Sequence, residues 1–323
     1  MFSIRNGAGF LALSLAAASI VTPAHAFTSV KALKASKAKA SVVDLVPGAA
    51  PITAGGFLNV RRLFDLYGDL ITGLPQWSQV EQLIAAGFPN LATDVGEVGV
   101  VTNLEIDDPN VGGVITGNVN VMALLTMAQQ MGLEFASSSY RGVNLFTSML
   151  NRESVQVGFT EGNKTIISVD RNGEHLISKG VIETISGQAS SFGTEKNVTL
   201  PSDYILDISL EMTQSLRDLT RYLGAMGNTL KLATFLQVSL TAEEATKDAD
   251  VAVTVRMPSA ATAEVLKAHF VVMISEFENQ VPPSEREIVE SIVVETSGND
   301  VILTVTIKEE AMRRWAGQIG GKI

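Results

Sequence analysis

Ala249-Asp250-Val251-Ala252-Val253-Thr254-Val255-Arg256-Met257-Pro258-Ser259 is the stretch whose reading decides the fold. Valines alternate with small or polar residues, the period-two pattern of a strand with one buried face. Pro258-Ser259 breaks the alternation. From Ala260 to Phe277 the spacing becomes helical, with Leu266, Phe270, Ile274 and Phe277 on one stripe. Two more strand patterns follow, Ser291 to Glu295 and Val301 to Ile307, around the turn residues Ser297-Gly298-Asn299-Asp300.

The same succession recurs upstream at one offset. Val114 to Val121 alternates like Val251 to Pro258 (251 − 114 = 137), Ser154 to Val157 matches Ser291 to Val294 (291 − 154 = 137), and Lys164 to Ile167 matches Val301 to Thr304 (301 − 164 = 137). This predicts two repeated lobes. Short turns between strands favour a mainly antiparallel sheet with helices on one face in each lobe, an α+β fold. The expected layout is a signal peptide over 1–26, a basic flexible tether over 27–50, a first lobe over 51–187, a linker over 188–200 and a second lobe over 201–323. The second copy lacks counterparts of a helix around Trp77 and of a strand beginning at Tyr140.

The first 26 residues have the order of a secretory signal: Arg5, an apolar run from Phe10 to Val21, then Ala24-His25-Ala26. Cleavage after Ala26 would place the mature chain in the periplasm or outside the cell. No later run is apolar for the ~18 residues that a membrane span needs, so no transmembrane segment is expected after signal removal. The chain of 323 residues contains no cysteine. That excludes disulfides, thiolate catalysis and cysteine-held zinc, and leaves stability to packed cores. Removing Arg5 leaves 23 basic against 34 acidic residues, net −11; setting aside Lys31, Lys34, Lys37 and Lys39 leaves 19 against 34, net −15. Such an acidic body repels nucleic acid and anionic membrane.

Motifs of known chemistry are missing. The mature chain has two histidines, His175 and His269, and neither has a metal-ligand spacing. His175 is expected exposed at a helix start, and His269 beside the apolar stripe of its helix. Gly187 to Gly193 contains Ser190-Ser191 but misses the strand-elbow-helix G-x-S-x-G pattern. Gly162-Asn163-Lys164-Thr165 has the wrong spacing for a phosphate loop and reads as a hairpin tip. Acidic loops at Asp107, Asp108 and Asn110, and at Glu243, Glu244, Asp248 and Asp250, do not fit a calcium loop in register and read as solvated. No catalytic residue, metal ligand or cofactor is therefore expected. One grouping points to ligand binding. Met122, Met127, Met131 and Met149 suit an adaptable apolar pocket.

A signal peptide, a short tether and two α+β lobes, with Tyr140-Arg141-Gly142-Val143 leading into a strand series, resemble uncharacterised two-lobed exported bacterial proteins with a domain of unknown function. The resemblance covers residues 42–317 and implies no activity and no site residues. The resulting expectation is an exported, soluble, non-enzymatic protein that binds a lipid or other apolar or amphipathic ligand. The alternative is a structural or assembly protein that meets an envelope protein or polymer. Lys164 to Asp170 and Val301 to Ile307 would be its sheet edges, guarded by Lys164 or Glu295. A carboxylate-based hydrolase is the remote alternative.

Overall fold

The computed structural model describes residues 41–49, 51–74, 77, 91–104, 110–130, 132–150, 152–160, 163–220, 224–278, 280–282 and 285–320. The expected signal peptide lies outside them, as does the helix expected around Trp77 apart from Trp77 itself. The chain divides into two compact units, residues 57–199 with those before Thr53, and residues 200–323 with 53–56.

The first unit alternates strands and helices as the sequence pattern predicts. Strand β1 (Ala54–Asn59) runs into α1 (Val60–Thr72), where the Asn59 side chain accepts the Arg62 N–H and caps the helix. A short helix α2 (Leu91–Asp94) precedes the hairpin of β2 (Val95–Thr102) and β3 (Val111–Gly117). These two strands approach closely at Gly113, where an added Cβ would lie 1.9 Å from the Gly99 carbonyl oxygen. Helix α3 (Val121–Gln130) follows, then β4 (Ala136–Tyr140), β5 (Val143–Leu150), β6 (Glu153–Thr160) and β7 (Lys164–Asp170). Helices α4 (Leu176–Ile185) and α5 (Phe192–Lys196) complete the unit. The strand order is β1-β2-β3-β7-β6-β5-β4, and every pair from β2 onward is antiparallel.

In the second unit β8 (Tyr204–Glu211) leads through α6 (Gln214–Thr220) and α7 (Gly224–Leu230) to β9 (Phe235–Ala242) and β10 (Ala249–Arg256). Then come α8 (Ala260–Glu278), α9 (Arg286–Glu290), β11 (Val293–Ser297), β12 (Asp300–Ile307) and α10 (Glu309–Gly320). The order β8-β9-β10-β12-β11 follows the same succession as β1-β2-β3-β7-β6. Val251, Val253 and Val255 face Val305, Leu303 and Val301 across the β10–β12 ladder. Of that face, Val253, Val255, Val301 and Leu303 pack under Ala263, Leu266 and Phe270 of α8. The intervening Asp250, Ala252 and Thr254 share the other face with Thr306, Thr304 and Ile302.

The α+β class holds, with corrections. Helices lie on both faces of the first unit's sheet. Leu124 of α3 packs with Ile115 and Ile167 on one face, while Ser178 of α4 bonds Gln156 on the other. Strands β7 and β12, expected at edges, are interior: β7 lies between β3 and β6, and β12 between β10 and β11. The expected strand at Tyr140 is a hairpin of two strands joined at Arg141-Gly142.

The described end of the expected tether is part of the first unit's core. Val42 and Val46 are fully buried, and Val42 sits where a side chain on Gly99 of β2 would be. The expected linker joins this packing. Ser191 caps α5 by accepting the Thr194 N–H, the Phe192 N–H donates to the Val46 carbonyl, and the buried Phe192 ring lies 5.5 Å from Phe57. Short apolar runs without a full helical or strand period look like linker in sequence, and their burial depends on partners far along the chain. Val42→Ala should therefore destabilise the first unit by about 2 kcal/mol, read as a lower urea midpoint at unchanged slope.

Candidate functional site

Helix α8 begins with a reciprocal cap. The Ser259 hydroxyl accepts the Thr262 N–H, and the Thr262 hydroxyl accepts the Ser259 N–H. Nineteen residues then run for about 28 Å. Ala263 and Leu266 are fully buried, and Phe270 is 9% exposed. Beyond Phe270 apolar side chains continue, interrupted by Ser275, Glu276 and Glu278, but lose their cover. Val271, Val272, Met273 and Phe277 are 50%, 58%, 39% and 54% exposed, and Val265 on the outer flank is 52% exposed. The expected inward stripe therefore ends early: Phe277 shares the face of Phe270 by spacing, but the core does not extend beneath it. Clustered exposed apolar surface marks a binding surface more often than scattered single residues do; this one wraps the helix, with Val265 and Val272 on the outer face and Phe277 on the face of Phe270. Glu264, Glu276 and Glu278 border this one and are exposed. Among the described residues, no helix is long and apolar enough to cross a membrane.

A second feature of the same unit is a polar cavity of about 360 Å³ lined by Thr246, Asp248, Glu287, Lys308, Glu309 and Arg314 among others. Its acids have internal work. Asp248 takes a 2.9 Å ion pair from Lys308 and accepts the Glu309 N–H, so it both pairs a base and caps α10. The hydrogen bond from Lys308 holds the Asp248 carboxyl below its ordinary pKa, and the same bond raises Lys308. Of the acids outside the cavity's lining, Asp250 accepts from Thr306, and Glu243 accepts from Thr246. No three metal-ligating side chains converge among the described residues.

The first unit holds a serine–histidine cluster that sequence reading missed. The Asp170 carboxylate at the end of β7 accepts the N–H groups of Asn172 and His175 at 2.8 Å each. This closes the turn into α4 and holds His175 in the left-handed region at φ 52°. The His175 ring is 2% exposed, against the expectation of exposure, with Ser154 Oγ 2.8 Å from Nε2 and Ser168 Oγ 2.9 Å from Nδ1. One hydroxyl accepts from the ring N–H and the other donates to the bare nitrogen, so neutral imidazole is fully satisfied. Asp170 holds the His175 backbone, whereas a nucleophile-activating triad needs a carboxylate on ring Nδ1. The arrangement can order a turn, and both serines are buried. Its one legible signal was Asp170-Arg171-Asn172-Gly173, an Asx-turn sequence.

Met122, at the start of α3, is 38% exposed, and Met149 in β5 is 60% exposed. The Met127 side chain and Met131 lie outside the described residues, as do Asp107 and Asp108. His269 is half-buried on α8.

No protein-family model matches the chain. No curated protein matches it either. Among solved structures it is similar to crystal form III of TP0453, with a TM-score of 0.49, 11% identity, and coverage of 87% of this chain and 100% of that one. Crystal form I gives 0.45, 11%, 88% and 100%, and crystal form IV gives 0.46, 10%, 87% and 97%. A likeness at this level carries no argument about chemistry.

Burial lowers the His175 pKa below its ordinary 6.5; Lys179 acts in the same direction and Asp170 opposes them. The unfolded chain therefore takes up this proton first as the pH falls. The contribution of His175 to stability is full above pH 6.5 and is lost as the pH drops toward the folded value. His175→Gln should flatten that part of the stability profile between pH 7 and 5. Ser154→Ala, which strands one ring nitrogen, should cost about 1–3 kcal/mol in urea unfolding.

Proposed function

We propose that this chain is an exported, non-enzymatic protein that binds the alkyl part of an amphiphile on the exposed apolar side chains of α8. The observation that carries the reading is the run of large apolar side chains on that helix, Val265, Val271, Val272, Met273 and Phe277. An alkyl chain laid along them removes apolar surface from water, at roughly 25 cal/mol per Å². The bordering Glu264, Glu276 and Glu278, on a chain of net charge −10, disfavour an anionic head group. The occupant is thus a zwitterionic or uncharged amphiphile. This reading does not use the methionines of the first unit, whose two described members, Met122 and Met149, are on the surface. The signal-like segment 1–26 supports export. The absence of a recognised motif, and the engagement of both His175 nitrogens by serines, support a non-enzymatic role.

We also infer that the two units arose by duplication. The ladder partners Val111↔Val169 and Ala249↔Ile307 share one offset, since 249 − 111 and 307 − 169 are both 138. This is one residue more than the offset of the sequence pattern. Superposing the two ladders at 138 should put α3 and α8 on the same sheet face; opposite faces would refute common descent.

Flotation with phosphatidylcholine vesicles, alongside phosphatidylglycerol vesicles, tests the binding reading. The expected result is co-flotation with phosphatidylcholine, reduced at least tenfold in Val272→Glu/Phe277→Glu and weaker on phosphatidylglycerol. Equal flotation of the double variant, or no flotation of the parent chain, would overturn it.

A further inference from the structure

Strand β4 ends the first unit's strand order. It pairs with β5 on one side, and no described strand lies on the other. Ala136, Ser137, Ser138 and Ser139 are all exposed. Natural edge strands are blunted with charges, proline or bulges. Ala136-Ser137-Ser138-Ser139-Tyr140 has none of these, and its ladder to β5 runs without a register shift. In contrast, β11 at the end of the other unit's order carries Glu295.

The hairpin also holds β4 rigidly. Arg141 and Gly142 have φ of 50° and 81°, a two-residue loop whose twist matches the strands it joins. The Tyr140 hydroxyl donates to Glu183 Oε1 of α4, and Arg141 reaches the same oxygen at 3.0 Å. Such a loop closes on a hydrogen-bonded pair, here Tyr140 and Val143. By alternation Tyr140, Ser138 and Ala136 turn their peptide groups to β5, and Ser137 and Ser139 turn theirs outward. Among the described residues the exposed feature is therefore backbone without a strand partner, which a peptide strand satisfies and an alkyl chain does not.

We propose that β4 is a self-association edge, pairing antiparallel with β4 of a second copy about a two-fold axis at Ser138. Each copy's Ser137 then exchanges hydrogen bonds with the other's Ser139. The flanking charges select this partner and direction. Glu134 is exposed just before the strand, and Arg141, its side chain 43% exposed beyond its bond to Glu183, lies just after it. Antiparallel pairing centred on Ser138 sets position 134 opposite 142, so each Glu134 lies beside the other copy's Arg141. Parallel pairing would set like charges side by side. The small side chains of Ala136 to Ser139 leave both sheet faces unobstructed. A five-residue edge makes a small interface, so the association is weak and concentration-dependent. The inference goes beyond the amphiphile reading and does not depend on it.

The absence of cysteine from the chain allows a direct test. Ser138 faces its own copy across a non-hydrogen-bonded pair, where side chains are closest. In full-length protein under mild oxidation, Ser138→Cys should form a disulfide-linked dimer at least ten times faster than Ser137→Cys, whose own copy lies two positions out of register. Sedimentation equilibrium of the parent chain should show dimers that weaken at least tenfold in Ser139→Pro, which removes an outward N–H, and in Glu134→Lys. A parent chain that stays monomeric at millimolar concentration, or equal cross-linking at 137 and 138, would overturn the proposal.

Discussion

A buried imidazole with a hydroxyl on each nitrogen joins β6 and β7 of the first unit to helix α4. Ser154 and Asp170 are cross-strand partners, as are Gln156 and Ser168, so four polar side chains share one buried sheet face. Each needs a partner, because an unsatisfied polar group costs more than its bond returns. His175 takes two of them, Ser178 takes Gln156, and Asp170 takes the turn. This limits how α4 can sit on the sheet, in a chain with no disulfide to do so.

The second unit meets the same requirement without a histidine. Asp207 is fully buried on β8, where its carboxylate accepts from Ser209, Gln237 and Ser239. Those donors sit on the polar face of the β8–β9 ladder; on the apolar face Leu236 packs with α7 and α8, while Ile208 is 39% exposed. In both units hydrogen bonds thus satisfy the polar ladder face, while packing covers the opposite face in the first unit and part of it in the second. Helix α8 is longer than the core beneath it, and its last turns carry apolar side chains into solvent.

The two exposed features differ in kind. Helix α8 has its backbone satisfied and displays side chains, which suits an alkyl surface. Strand β4 has small polar side chains and displays backbone, which suits another strand. Both coexist on an acidic molecule, whose charge opposes nonspecific association and leaves such contacts to local complementarity.

Much of the architecture was legible because it rests on local period. The alternation from Val251 to Val255, the helical spacing after Ser259, and the turn at Gly298-Asn299 describe β10, α8 and the β11–β12 hairpin before any contact is known. The lack of cysteine already restricted the chain to packing and hydrogen bonds. The rest depended on long-range partners. Val42 and Phe192 look like tether and linker until β2 and Phe57 enclose them. Ser154, Ser168 and His175 lie up to 21 residues apart and become neighbours only when the β6–β7 register forms. Phe277 fits the inward stripe by spacing yet is exposed, because period determines which residues share a helix face and only tertiary packing determines how far the core extends beneath it.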